Sequence, residues 1–196
     1  MRFHLLFLLI FSFHYSYGDL ECPNKINFVD EIMVKVSKKN KPVYLNGVGL
    51  KKILFFNIFY GALYLENPTS DSEDIMASPE VKVITVHALR DISEGQLVEE
   101  WDREYNRLCD KDCEKLRPFH EQFLSYARDV EKNERFSLAF LPDRLEFISN
   151  TGEKFEPIKS VEYGQIMLMS SIGEDPADTN LKKGMLGLDS KLCKEI

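Results

Sequence analysis

The stretch from residue 50 to residue 66 constrains the fold most, because it is aromatic or aliphatic along most of its length. The apolar runs 53–56 and 58–60 leave no room for the polar stripe of a surface helix. The stretch therefore predicts one long, largely buried strand, or two strands with a bulge near Asn57 or Gly61.

The rest of the chain alternates between strand and helix patterns. Period-two patterns predict strands at residues 32–37, 42–45, 81–89, 136–140 and 145–148. Helical spacing and capping residues predict helices at residues 70–77, 93–108, 161–172 and 178–186, and one from Cys113 or Pro118 to Val130. Along the chain, strands come first, followed by two central helices, a hairpin and terminal helices. This order predicts an α+β fold, with helices packed on an antiparallel sheet.

The first 18 residues have the composition of a cleavable signal peptide. Arg2 precedes an apolar run, and the small residues Ser16 and Gly18 stand before Asp19. A transmembrane anchor would need about 20 apolar residues, and polar side chains come too early for that. Export to the periplasm or the secretory route is therefore expected, with no stable membrane span after cleavage.

The charge of the expected mature chain limits its partners. Cleavage leaves 24 basic against 32 acidic residues, because Arg2 is lost from the total of 25 basic residues, and the net charge becomes −8. Nucleic acids and anionic membranes select surfaces rich in lysine and arginine. Neither is expected as the main partner, and the sequence gives no indication of oligomeric state.

Four cysteines remain after cleavage, an even number that favours disulfides in an exported chain. Their layout favours pairing Cys22 with Cys193 and Cys109 with Cys113 among three possible connectivities. The second pair requires a helix to end between its members, because cysteines four apart on one helix have poor bonding geometry. Four free buried thiols remain the alternative.

No standard catalytic or cofactor signature occurs in the chain. The sequence lacks a GxSxG elbow, an HExxH motif, a Walker loop and an EF-hand. The segment 47–49 (GVG) begins like a dinucleotide fingerprint, but its third glycine is missing and a strand follows. Neither His87 nor His120 has the spacing of a metal ligand, so neither a cofactor nor a metal is predicted.

Four motifs, in order, resemble the chalcone isomerase-like family, and most of all its exported bacterial-type branch. They are YLNGVGLK at 44–51, GALYLE at 61–66, LRDIS at 89–93, and IGE at 172–174 followed by NLKK at 180–183. The resemblance covers residues 27–188 and leaves 19–26 as an N-terminal linker and 189–196 as a tail. It implies an open-faced β-sandwich, in which helices cover one face of a large antiparallel sheet and an apolar cleft lies between the two layers.

The resemblance also implies where a site would lie. Chalcone isomerases close a ring in this cleft, and related members bind fatty acids there through the same arginine. That arginine falls on Lys51, the strand threonine near Phe59, the helix tyrosine on Leu97, the asparagine on Glu104, and a later helix hydroxyl on Ser170. Lys51 keeps the positive charge but not the planar fork of arginine.

These replacements disfavour an efficient flavonoid cyclase, because each lost proton or oxyanion donor costs typically about 10² to 10³ in rate. The leading hypothesis is a non-catalytic binder of a small amphipathic molecule such as a fatty acid, with Lys51 nearest the anionic group and Trp101 in the wall. One alternative is an isomerase on an unknown enone-type substrate that uses Lys51 and Ser170.

A second alternative is an interaction module whose cleft is filled by its own Phe55, Phe56 and Phe59. Lys51 could equally be a solvated lysine at a strand edge. Arg90, next to Asp91 where a strand meets a helix, is expected to form a structural ion pair or a cap.

Overall fold

The computed structural model describes residues 18–149, 153, 155–189 and 191–196. The expected signal peptide lies outside these residues except for Gly18, and so does the predicted turn at 150–152. The strands are β1 Leu20–Cys22, β2 Ile26–Phe28, β3 Glu31–Val36, β4 Lys39–Ile53, β5 Phe56–Leu65, β6 Lys82–Ala88, β7 Arg135–Leu141, β8 Arg144–Ser149 and β9 Lys194–Glu195. The helices are α1 Ser72–Ala77, α2 Glu94–Leu108, α3 Cys113–Leu124, α4 Val161–Ile172 and α5 Thr179–Met185.

Six strands form one antiparallel sheet in the order β3-β4-β5-β6-β7-β8. Each strand pairs with the next one along the chain, so the sheet is a meander. Helices α2 to α5 pack on one face of this sheet and bury the larger apolar core. This arrangement confirms the expected α+β fold with helices on an antiparallel sheet.

The stretch 50–66 is two strands rather than one. β4 and β5 meet at the two-residue turn Leu54-Phe55, where Ile53 pairs with Phe56. The register shifts by one residue at Ile58, close to the predicted bulge at Asn57. The expected burial holds for the second half of β5, but it is wrong at the turn, because Phe55 is 96% exposed.

The expected linker 19–26 contains β1 and the expected tail 189–196 contains β9, and both strands belong to a second, three-stranded sheet in the order β2-β1-β9. A disulfide joins Cys22, at the end of the central strand β1, to Cys193, the residue before β9. The apolar side chains of this sheet, such as Phe28, pack with Val43, Tyr64 and other residues of the large sheet in a separate core. The face that was expected to be open is therefore covered in part, because the alternating apolar residues of β1 and β2 need a partner to bury them.

Helices α2 and α3 are held at their junction by the disulfide between Cys109 and Cys113. Cys109 is the C-cap of α2 and Cys113 begins α3, so the helix ends between the two cysteines as that pairing requires. Helix α3 ends at Leu124, not at Val130 as predicted, because Val130 exchanges two backbone hydrogen bonds with Ile92.

The glycines of the 47–49 segment allow α5 to lie directly on β4. A Cβ at Gly49 would stand 2.1 Å from the carbonyl oxygen of Leu181, and one at Gly47 would stand 2.3 Å from that of Gly184. These glycines serve close packing rather than nucleotide binding. The contact also brings the start of α5, with Asp178, next to Lys51.

Candidate functional site

A cavity of about 110 Å³ lies between the large sheet and helices α2, α4 and α5. Its wall is mostly apolar, with side chains from β5, β6 and β7 below and from the three helices above. The structure brings all six side chains expected from the sequence to this one cavity: Lys51, Phe59, Leu97, Trp101, Glu104 and Ser170. We call it the inner cavity.

A groove of about 330 Å³ adjoins the inner cavity and opens beside the turn between β4 and β5. Five residues line both spaces and lie between them: the apolar Phe59, Ile92 and Leu97, together with Lys51 and Glu100. The groove is further lined by Ile53 and Phe56 and by side chains of α2. We call it the outer groove.

Lys51 stands where the two spaces meet, and its side chain is only 11% exposed. Its Nζ lies 3.6 Å from Oε1 of Glu100 and 3.9 Å from Oδ2 of Asp178. It also donates a hydrogen bond of 3.4 Å to the carbonyl oxygen of Ala177. The expectation of a solvated strand-edge lysine is therefore wrong: this cation is buried and already has two carboxylate neighbours.

Residues 26–187 match the family model described as chalcone isomerase-like. The chain belongs to the chalcone isomerase-like family. Among solved structures it is similar to a fatty-acid binding protein of Arabidopsis thaliana, with 17% identity and a TM-score of 0.61. The match covers 86% of this chain and 95% of the Arabidopsis chain. No curated protein sequence is significantly similar to this one.

Glu104 lies in the wall of this chalcone isomerase-like cleft and is 6% exposed. Nε of Arg107 donates a hydrogen bond of 3.0 Å to its Oε2, and Nε of Arg103 lies 3.4 Å from its Oε1. Arg107 also contacts Asp175. The guanidinium groups pair with Glu104, so its charge is compensated within the protein.

Two α2 side chains form part of the apolar roof. Leu97 and Trp101 lie one helical turn apart and are both 8% exposed. Trp101 packs against Phe123 of α3, with ring centroids 4.4 Å apart. Helical spacing thus places these two residues in the core and in the cavity wall at the same time.

Ser170 reaches the cavity from α4, but its hydroxyl donates a hydrogen bond of 2.8 Å to the carbonyl oxygen of Met167. The hydroxyl proton of Ser170 is thus directed at the backbone of its own helix. Ser171, the next residue, also lines the cavity.

Arg90 is a site residue that the sequence interpretation assigned elsewhere. It lines the outer groove, and its guanidinium carbon lies 5.2 Å from the centroid of the Phe56 ring. No salt bridge of the described residues includes it, while the neighbouring Asp91 accepts a hydrogen bond of 2.8 Å from the backbone of Lys132. Recognising this contact from sequence would have required knowing that Phe56 is exposed.

A second polar cluster lies outside both spaces. Buried His120 contacts the hydroxyl of Tyr163 through Nδ1 and Oδ1 of Asp102 through Nε2, each at 3.1 Å. Burial lowers the pKa of His120 and, in the core of the sheet, that of His87. None of these residues lines the inner cavity or the outer groove. The cluster therefore supports packing between α2, α3 and α4.

Within the described part of the chain, no group of three or more histidine, cysteine or acidic side chains could hold a metal ion. Over the same residues, no helix combines the length and apolar character needed to cross a membrane.

Proposed function

We propose that this chalcone isomerase-like protein binds a small amphipathic molecule of the fatty-acid type between its sheet and its helices, without transforming it. The observation that carries the proposal is the pair of adjoining apolar spaces with one buried cation, Lys51, at their junction. The Arabidopsis protein with a similar fold is described as a fatty-acid binding protein.

The two volumes fit such a ligand only when they act together. The inner cavity, at about 110 Å³, is of the order of the roughly 150 Å³ engineered cavity that accepts benzene. The outer groove, at about 330 Å³, reaches the lower end of the roughly 300–1,000 Å³ typical of ligand sites. Rotation of Phe59 or Leu97 would join the two spaces into one channel long enough for an alkyl chain.

The anionic head group would bind at Lys51 in exchange for one of its present neighbours. Glu100 lies in the outer groove and its side chain is 33% exposed, so it can turn toward solvent and remain paired with Arg103. A ligand carboxylate would then accept a charge-assisted hydrogen bond from Lys51 in a largely dry site, where such bonds are strong.

The two alternatives receive less support. An isomerase would need donors aimed at a ketone oxygen, yet Ser170 bonds to Met167 and Lys51 has carboxylate neighbours. An interaction module with a filled cleft was suggested by an abundance of phenylalanine, but Phe55 and Phe56 are exposed at the turn rather than buried in the cleft.

We also propose that the protein works outside the reducing cytoplasm. Two disulfides support this, since such bonds persist in oxidising compartments. Amino-terminal sequencing of the protein recovered from its own host tests the proposal. A start at Asp19 in an extracytoplasmic fraction is expected, and an intact Met1 in the cytoplasm would contradict it.

Displacement of the fluorescent fatty acid cis-parinaric acid by palmitate tests ligand binding. In Ser171→Leu the larger side chain fills part of the inner cavity. The variant is expected to weaken binding at least about tenfold, because the ligand can no longer bury apolar surface there. Ser171→Ala is the matched control and is expected to bind like the wild type. Equal binding by all three proteins would place the fatty acid outside the inner cavity and contradict the proposal.

A further inference from the structure

The turn between β4 and β5 carries four consecutive exposed apolar side chains, which we call the apolar tip. They are Ile53, Leu54, Phe55 and Phe56, with exposed fractions of 52%, 84%, 96% and 59%. The described residues contain no other run of four exposed large apolar side chains. Leaving such a run in water is costly, because removing apolar surface from water is favourable.

The backbone of the tip adds to this cost. Leu54 has a φ of 53°, in the left-handed region where glycine and asparagine are favoured. A leucine in that conformation is strained, because its Cβ crowds the following carbonyl oxygen. The turn therefore carries an apolar side chain at the one position where a smaller or polar residue would fold more easily, which points to a role for the side chain itself.

We propose that the apolar tip inserts into the interfacial layer of a phospholipid bilayer. The tip is a narrow hairpin end of four residues, whereas a stable protein interface needs roughly 20–30 residues on each side. A narrow apolar projection suits a lipid surface, which closes around an inserted side chain. Phenylalanine and leucine are also typical of the apolar faces that bury at the boundary between headgroups and acyl chains.

The charges around the tip fit the same partner. Exposed Lys52 and Arg90 lie at its base, where they can reach lipid phosphates while the tip is buried. Acidic Asp91 and Glu99 also line the groove, and the expected mature chain has more acidic than basic residues. Insertion should therefore depend on apolar contact and should not require an anionic lipid.

The position of the tip relates docking to the cleft. Ile53 and Phe56 form part of the wall of the outer groove, so insertion of the tip would place the groove opening against the bilayer. An amphipathic ligand could then pass between membrane and cleft without crossing water. This last step rests on the proposed function, whereas docking itself does not.

Flotation of the mature chain, residues 19–196, with phosphatidylcholine vesicles tests the proposal. The wild type is expected to float, and Leu54→Asn/Phe55→Ser is expected to bind at least about tenfold more weakly, since two large apolar groups are lost. Asparagine tolerates the left-handed conformation, so the variant is expected to keep its stability in urea denaturation. The control Met33→Ser/Leu188→Ser removes two exposed apolar side chains outside the tip and is expected to bind like the wild type.

A second measurement reports insertion directly. Trp101 is the one native tryptophan and is buried. In Phe55→Trp, any quenching of tryptophan fluorescence by brominated phosphatidylcholine beyond that of the wild type therefore comes from the tip.

Three results would overturn the proposal: no binding of the wild type, equal binding of the tip variant, or binding only to phosphatidylglycerol vesicles regardless of the tip. Tip-dependent dimers in vesicle-free solution would also overturn it and would assign the tip to a second copy. Palmitate binding by the tip variant without vesicles separates failure of docking from failure of the proposed function.

Discussion

Nζ of Lys51 lies 3.6 Å from Oε1 of Glu100, so the cation of the cleft is paired with the helix that roofs it. A ligand carboxylate must compete with this carboxylate for the same ammonium group. The pair therefore lowers the affinity for an anionic ligand, and loss of the Glu100 charge should raise that affinity.

Lys51→Met is expected to weaken palmitate binding about ten- to 100-fold, the equivalent of one hydrogen bond to a charged group. Glu100→Gln is expected to strengthen it, because the competing charge is gone. Titration calorimetry with palmitate measures both effects. The alcohol with the same chain length is the control, and a Lys51→Met effect of the same size on the alcohol would contradict a charge-specific role.

Gly49→Ala is expected to lower the free energy of unfolding by about 1–3 kcal/mol or more, because its Cβ would overlap the backbone of α5. Gly95→Ala is the matched control, since a Cβ there meets nothing within 4 Å. That variant is expected to be neutral or up to about 1 kcal/mol more stable, as alanine favours helix. Urea denaturation measures both, and similar values for the two variants would contradict the close packing of α5 on β4.

The two disulfides are expected to differ in their contributions to stability. Cys22 and Cys193 are 171 residues apart, and Cys109 and Cys113 are four apart. Chain-entropy arguments then give about 5 kcal/mol for the long loop and about 2 kcal/mol for the short one. Paired Cys→Ser variants in urea denaturation test this order, and a larger loss from the short loop would contradict it.

Stability is expected to fall as the pH drops below about 6.5, the pKa of histidine in an unfolded chain. Burial lowers the folded-state pKa of His120 and His87. As the pH falls below about 6.5, these histidines take up protons in the unfolded chain before they do so in the folded protein. The free energy of unfolding therefore falls until the pH has passed through the lower, folded-state pKa.

His120→Gln is expected to reduce the slope of the free energy of unfolding against pH. The reduction is at most about 1.4 kcal/mol per pH unit, because one titrating group is removed. Asp102 opposes the effect of burial on the pKa of His120, so Asp102→Asn is expected to steepen the slope. Urea denaturation between about pH 7.5 and 5.5 measures the slopes. Identical slopes in the wild type and His120→Gln would show that this histidine does not contribute.

Sequence patterns sufficed where local signals agree with tertiary packing. Ser93 and Gln96 form the capping box that begins α2, and helical spacing places Leu97 and Trp101 over the sheet. The resemblance to the family then placed Lys51 and Ser170, which lie far apart in the chain, at one cavity.

Patterns failed where burial depends on distant contacts. The turn at Leu54-Phe55 contains none of the glycine, asparagine or aspartate that usually identifies a hairpin turn, so two strands could not be told from one. Apolar residues are ordinarily buried, and no local signal distinguishes the exposed Phe55 from the buried Leu63. The pairing of β1 with β9 joins opposite ends of the chain, which no short-range pattern records.

Native mass spectrometry of the delipidated mature chain, incubated with palmitate, tests the central claim most directly. One bound palmitate is expected on the wild type and on Ser171→Ala, and a much smaller liganded fraction is expected for Ser171→Leu at the same palmitate concentration. A wild-type protein that stays unliganded under these conditions would contradict ligand binding in the cleft between the sheet and the helices.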